Sequence, residues 1–425
     1  MQPKENPYFK SIATFVQKKE IICLKHDHIL HLAKQHCERV VEVNSIEDIS
    51  WSDILFRKKY IISIPQKKII TNTSDKLKRK AIRLLGLSIE ETFQTLCLND
   101  LFFSNHGTHV IFVPWHHAAE IYKHHLSNFK VVELPPDLRA KVVNNFVSKI
   151  YKSNKLPEDK TEGTTVFTNP TNSTIIEIYK QIHPNHNIIL RYHDRINGGI
   201  NNRTTTKEIR DLIQSLLHKK TISSAESYYI QDARELNITY RPNGANPVFM
   251  RSLDVPYRTQ LLSFIGGPIK HGDKSRIASL ALLQKKLISS YPQILNWISY
   301  KVVDISSPDW LPYKEFTKRY AKSEIYIDLC RSGQEEGFSF RIPEALFLNR
   351  KIISNRKILK LEPFYSKNRV FIIGEDPLDQ LLNFLECDLP PLPNSILRLY
   401  DTTLWWTLQD PYNTDEKKSL ARTLN

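Results

Sequence analysis

The stretch from Tyr326 to Leu346 gathers the residue types best suited to hold a phosphate and a set of sugar hydroxyls. Tyr326-Ile327-Asp328-Leu329-Cys330 reads as a strand. A polar loop with Arg331, Gly333, Glu336 and Gly337 follows, and a helix is expected to open around Ser339. Free N–H groups and the partial positive charge of a helix start favour a phosphate there. Gly337 would let the backbone come close to it. Arg331 and Arg341 would add charge-assisted hydrogen bonds. Glu336 in the loop and Glu344 in the helix could accept hydrogen bonds from hydroxyl groups without competing for the phosphate. The plain alternative makes Glu336 an ordinary loop residue and Glu344 a solvated helix residue.

Histidines supply further candidates. Arg191-Tyr192-His193-Asp194-Arg195 ends a strand, the end at which doubly wound sheets bind ligands. His193 could hydrogen-bond a substrate or act as a base beside Asp194; the alternative is a salt cluster of Asp194 with Arg191 or Arg195. Trp115-His116-His117 and His26-Asp27-His28 also follow strands, although a surface or core histidine is the more economical reading of each. No third ligand stands at a spacing diagnostic of a metal site.

Short apolar runs rich in β-formers alternate with longer segments of helical period, which indicates α/β architecture with mostly parallel sheets. Strands are expected at Glu20–Leu24, Arg39–Val43, Val110–Pro114, Lys130–Leu134, Thr164–Thr168 and Asn187–Tyr192. The same half should hold helices at Ser88–Leu98, Ala118–Ser127, Ser173–Ile182 and Thr206–His218. Arg241-Pro242-Asn243-Gly244-Ala245-Asn246-Pro247 must be a turn or linker, and a domain boundary is placed near residue 245. Beyond it come strands at Leu261–Gly266, Ile298–Val303, Ile325–Cys330, Lys351–Ser354 and Arg369–Ile373. The intervening helices are Ser275–Tyr291, Tyr313–Ala321, Ser339–Asn349 and Pro377–Glu386. After Pro390, Pro391 and Pro393, Ser395–Gln409 has helical spacing and aromatic weight, so it needs a surface to cover.

A chain of 425 residues with 41% hydrophobic and 25% charged residues has material for more than one core. No apolar run is long enough for a membrane span, and residues 1–6 lack a hydrophobic signal region, so a cytoplasmic protein is expected. Cys23, Cys37, Cys97, Cys330 and Cys387 form no CxxC pair and read as reduced thiols. The net charge of +15 suits nucleic acid, an anionic membrane surface or phosphorylated small molecules, or reflects solvated lysine-rich faces. Arg57, Lys58, Lys59, Lys67, Lys68, Lys76, Lys78, Arg79, Lys80 and Arg83 form a basic region able to attract anionic headgroups. These basic residues are not interleaved with a stacking series of aromatics, and no nucleic-acid partner is expected.

Glu336 and Glu344, with Gly337-Phe338 after the first and Ala345 after the second, resemble the Glu-x7-Glu signature of GT-B glycosyltransferases. Arg350-Lys351-Ile352-Ile353-Ser354 resembles the strand that closes that motif. Ile327-Asp328-Leu329-Cys330-Arg331-Ser332-Gly333-Gln334, Phe340-Arg341, Glu344-Ala345-Leu346-Phe347 and Pro363-Phe364-Tyr365 are similar to bacterial polysaccharide and lipopolysaccharide biosynthesis transferases. Arg241–Asn246 resembles the junction segment of retaining members. Ser263-Phe264-Ile265-Gly266-Gly267-Pro268-Ile269-Lys270 resembles the first strand and glycine turn of their donor domain. His193-Asp194 looks like the His-Asp step many members place at the cleft.

This resemblance, good over 240–375, thin over 160–240 and slight before that, implies two Rossmann-like domains facing each other across a cleft. Residues 1–245 would form the acceptor domain and 246–394 the nucleotide-sugar domain, with a C-terminal helix in 395–425 packing back on the first. It implies Glu336 on the donor sugar, Glu344 on the ribose, amides near Ser339 and Phe340 on the diphosphate, and Lys270 or Lys274 as its basic partner. The acceptor would be a glycolipid or polysaccharide, with no metal and no cofactor beyond the donor substrate. The alternatives are a nucleotide-sugar epimerase of the same fold, which needs no acceptor, a basic nucleic-acid-binding protein, and an inactive transferase-like scaffold.

Overall fold

The computed structural model describes residues 158–193, 196, 206–253, 260–266, 275–290, 298–302, 311–330 and 337–412, most of 94–152, and the strand segments 20–24, 39–43 and 60–61. Three parallel sheets emerge. The first orders β1 (Glu20–Leu24), β2 (Arg39–Val43) and β3 (Tyr60–Ile61) as β2-β1-β3. The second contains β4 (His109–Val113), β5 (Lys130–Glu133), β6 (Gly163–Thr168), β7 (His186–Tyr192), β8 (Ser224–Ser227) and β9 (Thr239–Tyr240), in the order β5-β4-β6-β7-β8-β9. The third contains β10 (Gln260–Gly266), β11 (Ile298–Val302), β12 (Ser323–Asp328), β13 (Lys351–Ser354) and β14 (Val370–Ile372), ordered β11-β10-β12-β13-β14. In both larger sheets the strand order reverses beside the first strand: between β4 and β6, and between β10 and β12. Open α/β sheets bind ligands outside the carboxyl ends of the strands at such a reversal.

The helices between the strands are α1 (His116–His125), α2 (Ala140–Lys152), α3 (Ser173–Ile182), α4 (Thr206–His218), α5 (Ile230–Leu236), α6 (Pro247–Ser252), α7 (Ser275–Ser290), α8 (Tyr313–Ala321), α9 (Arg341–Phe347) and α10 (Leu381–Glu386). Local chemistry explains α3 well. The Asn172 side chain accepts from the N–H groups of Thr174 and Ile175 and so caps the first turn. Ile175, Ile176, Ile178, Tyr179 and Ile182 are all buried. They join Ile188 and Leu190 of β7 in the largest core, at roughly 1.5–3 kcal/mol for each such side chain removed from water. The strand β6 is buried at every position from Thr164 to Thr168, as a central parallel strand covered on both faces must be.

The C-terminal segment corrects the expectation of one helix over Ser395–Gln409. It breaks into an α-turn at Asn394–Leu397 and two 3-10 turns, Arg398–Tyr400 and Thr402–Leu404, with Trp406 at φ 57°. Side chains compete for the backbone amides here: Asp401 accepts from Thr403 N–H at 2.9 Å, and Asp410 accepts from Trp406 N–H at 2.8 Å. The aromatic residues therefore serve separate cores. Trp405 packs with Ile111, Val113, Tyr122 and Ile189 on the second sheet, while Tyr400 packs with Phe338 and Phe364 beside the third. Residues Ala245 and Asp401 form a parallel bridge, which ties the segment to the 241–246 turn.

Candidate functional site

At the carboxyl end of β12, next to the strand-order reversal, stands Asp328 with no exposed surface. Arg356 Nε donates to its Oδ2 at 2.7 Å, Ser339 Oγ to its Oδ1 at 2.7 Å, and Arg341 Nη1 to its Oδ1 at 3.4 Å. Burial alone would raise this carboxyl's pKa. The charges of Arg356 and Arg341 and the donated hydrogen bonds outweigh it and hold the carboxyl below the usual aspartate value. Arg356 also donates to the carbonyl of Gly337, and Arg341 lies 5.6 Å from the rings of Phe316 and Tyr320. Arg341 also feels the charge of Glu344, so the two guanidinium groups here are set against two carboxylates. Sequence reasoning passed over Asp328 and Arg356; the available signal was a carboxylate inside the apolar run from Ile325 to Cys330.

The loop that Asp328 anchors turns toward the second sheet. A Cβ on Gly337 would lie 2.8 Å from Tyr228 Cε2, so the glycine admits the Tyr228 ring. Phe338 is fully buried in a core and is not open to a ligand; its carbonyl accepts from Asn243 Nδ2 at 2.8 Å. The Phe340 ring stacks on His125 with centroids 5.4 Å apart and an angle of 2°, and meets Tyr122 edge-on at 5.9 Å. Ser339 engages the backbone as well: its Oγ accepts from Arg341 N–H and its carbonyl from Ile342 N–H.

Glu344 departs from its expected role. It is completely buried, and Tyr313 Oη donates to its Oε1. The N–H of Asn246 donates to His125 Nδ1 at 3.1 Å, so the ring proton sits on Nε2, which lies 2.7 Å from Tyr313 Oη and 3.5 Å from Glu344 Oε1. A backbone amide, an imidazole, a phenol and a carboxylate thus form one chain from the 241–246 turn through α1 and α8 into α9. Glu344 Oε1 is thus engaged within the protein, and the residue has no exposed surface. Burial, then the Glu344 charge, pushes the Tyr313 pKa well above that of ordinary tyrosine, which keeps it a donor.

At the end of β7, His193 is held by Asn169, the residue after β6. Asn169 Oδ1 accepts from His193 N–H at 2.9 Å, and Asn169 Nδ2 lies 3.2 Å from His193 Nε2. The Tyr122 ring meets the imidazole edge-on at 5.8 Å. Arg191 faces inward. It donates to Glu226 Oε1 at 2.8 Å and to Asn243 Oδ1 at 3.2 Å, and lies 4.4 Å from the Trp405 ring. Arg241 bridges Glu226 at 2.6 Å and Asp410 at 2.8 Å. Asn169, Tyr122 and Glu226 were not legible as partners, because each meets its histidine or arginine only across the sheet.

Gly266 closes β10 beside the reversal. Gly267, Lys270, Lys274, Arg331, Glu336 and Asp194 lie outside the described residues, as do the residues of the 57–83 basic cluster and the His26-Asp27-His28 segment. Among the described residues no group of three or more His, Cys, Asp or Glu side chains is placed to hold a metal ion, and no helix is long and apolar enough to cross a membrane.

The fold and this site define an α/β protein with doubly wound parallel sheets and an Asp328–Arg341–Arg356 cluster at the carboxyl end of the third. No family model and no curated protein matches the chain. Among solved structures it is similar to Anabaena Alr3699/HepE in complex with UDP, at 11% identity and a TM-score of 0.35, covering 74% of this chain and 99% of that one. A likeness that shallow assigns no residue a role.

Proposed function

We propose that the chain is a glycosyltransferase of the GT-B type that moves a sugar from a nucleotide-sugar donor to a glycolipid or polysaccharide acceptor. One observation carries the reading: residues 337–341, leaving the strand-order reversal of the third sheet, pack against Tyr122, His125, Tyr228 and Asn243 at the carboxyl edge of the second. In this reading the ligand-binding edges of two doubly wound sheets would meet at this loop, which lies within the segment that carries the Glu-x7-Glu resemblance. In this reading residues 1–245 form the acceptor domain, 246–394 the donor domain, and 395–425 return to the first.

The donor's diphosphate would lie at the mouth of β10 and β12. Arg341 and Arg356 would offer charge-assisted hydrogen bonds to it there, and Gly266, Gly267, Lys270, Lys274 and Arg331 would contribute to the same site. Fixed positive groups would stabilise the leaving diphosphate without a metal. Glu336 would meet the transferred sugar, and His193 with Asp194 would approach from the acceptor side. Glu344 serves as a tie between elements. The junction segment favours retention of configuration, and the Arg57–Arg83 region would hold the enzyme at an anionic surface. A role in bacterial surface glycan synthesis follows from the same resemblance.

A thermal-shift screen of nucleotides and nucleotide sugars tests the core of this. A cognate nucleotide at a hundredfold excess over its Kd stabilises the fold by about 2.7 kcal/mol. Stabilisation by one nucleotide class, with transfer of labelled sugar into a lipid or polysaccharide fraction, is the expected result. A flat response across the panel rejects the reading, and an altered nucleotide sugar formed without any acceptor redirects it to epimerisation.

A further inference from the structure

The clamp on His193 has consequences that depend only on hydrogen-bond polarity. Asn169 is 7% exposed and adopts φ 47°, a left-handed turn that asparagine tolerates, with its own N–H bonded to the Arg191 carbonyl at 2.8 Å. Its Oδ1 accepts from the His193 backbone N–H. The amide orientation is thereby fixed, and the group facing the ring is the NH2. An NH2 can only donate, so His193 Nε2, 3.2 Å away, is an acceptor. In the neutral imidazole the proton then resides on Nδ1.

We infer that Asn169 is a positioning residue that locks His193 as the Nδ1–H tautomer, so that Nε2 of His193 does not act as a general base in the proposed transfer. The basic nitrogen is occupied by the clamp. A base would have to break the Asn169 bond before accepting a proton at Nε2. The inference rests on the proposed transferase reading for its functional half only; the tautomer stands independently of any substrate.

Asn169→Asp gives a sharp test. Aspartate keeps the size, and its carboxylate still accepts from the His193 N–H, but toward the ring it accepts where asparagine donates. Asn169→Gly tolerates the left-handed turn and removes the side chain altogether. Nitrogen shifts of 15N-histidine-labelled protein report the tautomer directly, and the His193 signals among the chain's fifteen histidines are those lost in His193→Gln. Wild type is expected to show protonated Nδ1 and unprotonated Nε2. Asn169→Asp should move the proton onto Nε2 or charge the ring, and Asn169→Gly should yield a mixture. With the donor identified, Asn169→Asp should lower kcat at least tenfold while donor KM changes less than twofold. An Nε2–H form in wild type, or a His193 spectrum unmoved by Asn169→Asp, overturns the clamp. A correct tautomer with kcat unchanged in Asn169→Asp overturns the positioning role in transfer. If the tautomer is as stated and no nucleotide sugar binds, the clamp stands and the transferase reading alone fails.

Discussion

Replacing Asp328 with alanine removes the anchor of the 337–341 loop and leaves the buried Arg356 and the partly buried Arg341 without their carboxylate. Breaking a buried ion pair by deleting one partner costs about 3–5 kcal/mol. Two features place this case at the lower end. Arg341 retains Phe316 and Tyr320 at 5.6 Å, and Arg356 retains the Gly337 carbonyl. The expected loss is therefore about 3 kcal/mol, which for a urea m-value of roughly 3 kcal/mol/M lowers the unfolding midpoint by about 1 M. Asp328→Asn keeps the shape and one acceptor but not the charge, and should lose roughly 1.5 kcal/mol. The pH dependence follows from the depressed carboxyl pKa. Its contribution is complete above the unfolded-state value of about 3.9 and disappears as pH falls through the lower folded-state value. That acid limb should be missing in Asp328→Asn. A midpoint for Asp328→Ala within about 0.3 M of wild type would show that the arginines do not depend on this carboxylate, and the loop-anchor reasoning would be wrong.

Three further outcomes are expected. At the amino end of the second sheet, His183 is pushed down to about 4 by burial and then by neighbouring His186, and burial also lowers His186 and His106; stability should be complete above about pH 6.5 and fall as pH drops from there toward 4. Urea midpoints across that window should show the slope, and His183→Gln should flatten it; an equal slope in the variant argues against the cluster. Gly337→Ala brings a methyl to 2.8 Å from Tyr228 Cε2 and should cost about 1–3 kcal/mol. Adding Tyr228→Ala should recover part of that, and strictly additive losses would deny the contact. Trp405→Ala empties a site that is 1% exposed and should cost about 3–5 kcal/mol. It should also release residues 394–412 to limited proteolysis, and protease resistance equal to wild type would show that the segment is held by other contacts.

The local pattern of residues was enough for much of the chain. Helix α3 has an asparagine cap and an unbroken apolar stripe, and β13 is Lys-Ile-Ile-Ser between turn signals; both fall at the residues expected. The alternation of such units also indicated parallel α/β sheets. Elements stabilised mainly by distant partners were not legible. Ser224-Ala225-Glu226-Ser227 has no apolar alternation, yet it is β8, because Arg191 and Arg241, 35 and 15 residues away, neutralise Glu226 inside the protein. The tail shows the reverse: helical spacing without a helix, since Trp405 and Tyr400 fill different cores.

The same distinction runs through the candidate site. Sequence determined which segment follows β12, that it bears glycines, arginines and carboxylates, and that it lies at the ligand-binding edge of a sheet. Only the tertiary structure decided which way those side chains face. Gly337 meets Tyr228, Asp328 gathers two arginines, and Glu344 is sealed behind Tyr313 and His125. Periodicity is set by neighbours a few residues apart, whereas a carboxylate's exposure is set by groups folded against it from tens or hundreds of residues away, and no local pattern encodes that meeting.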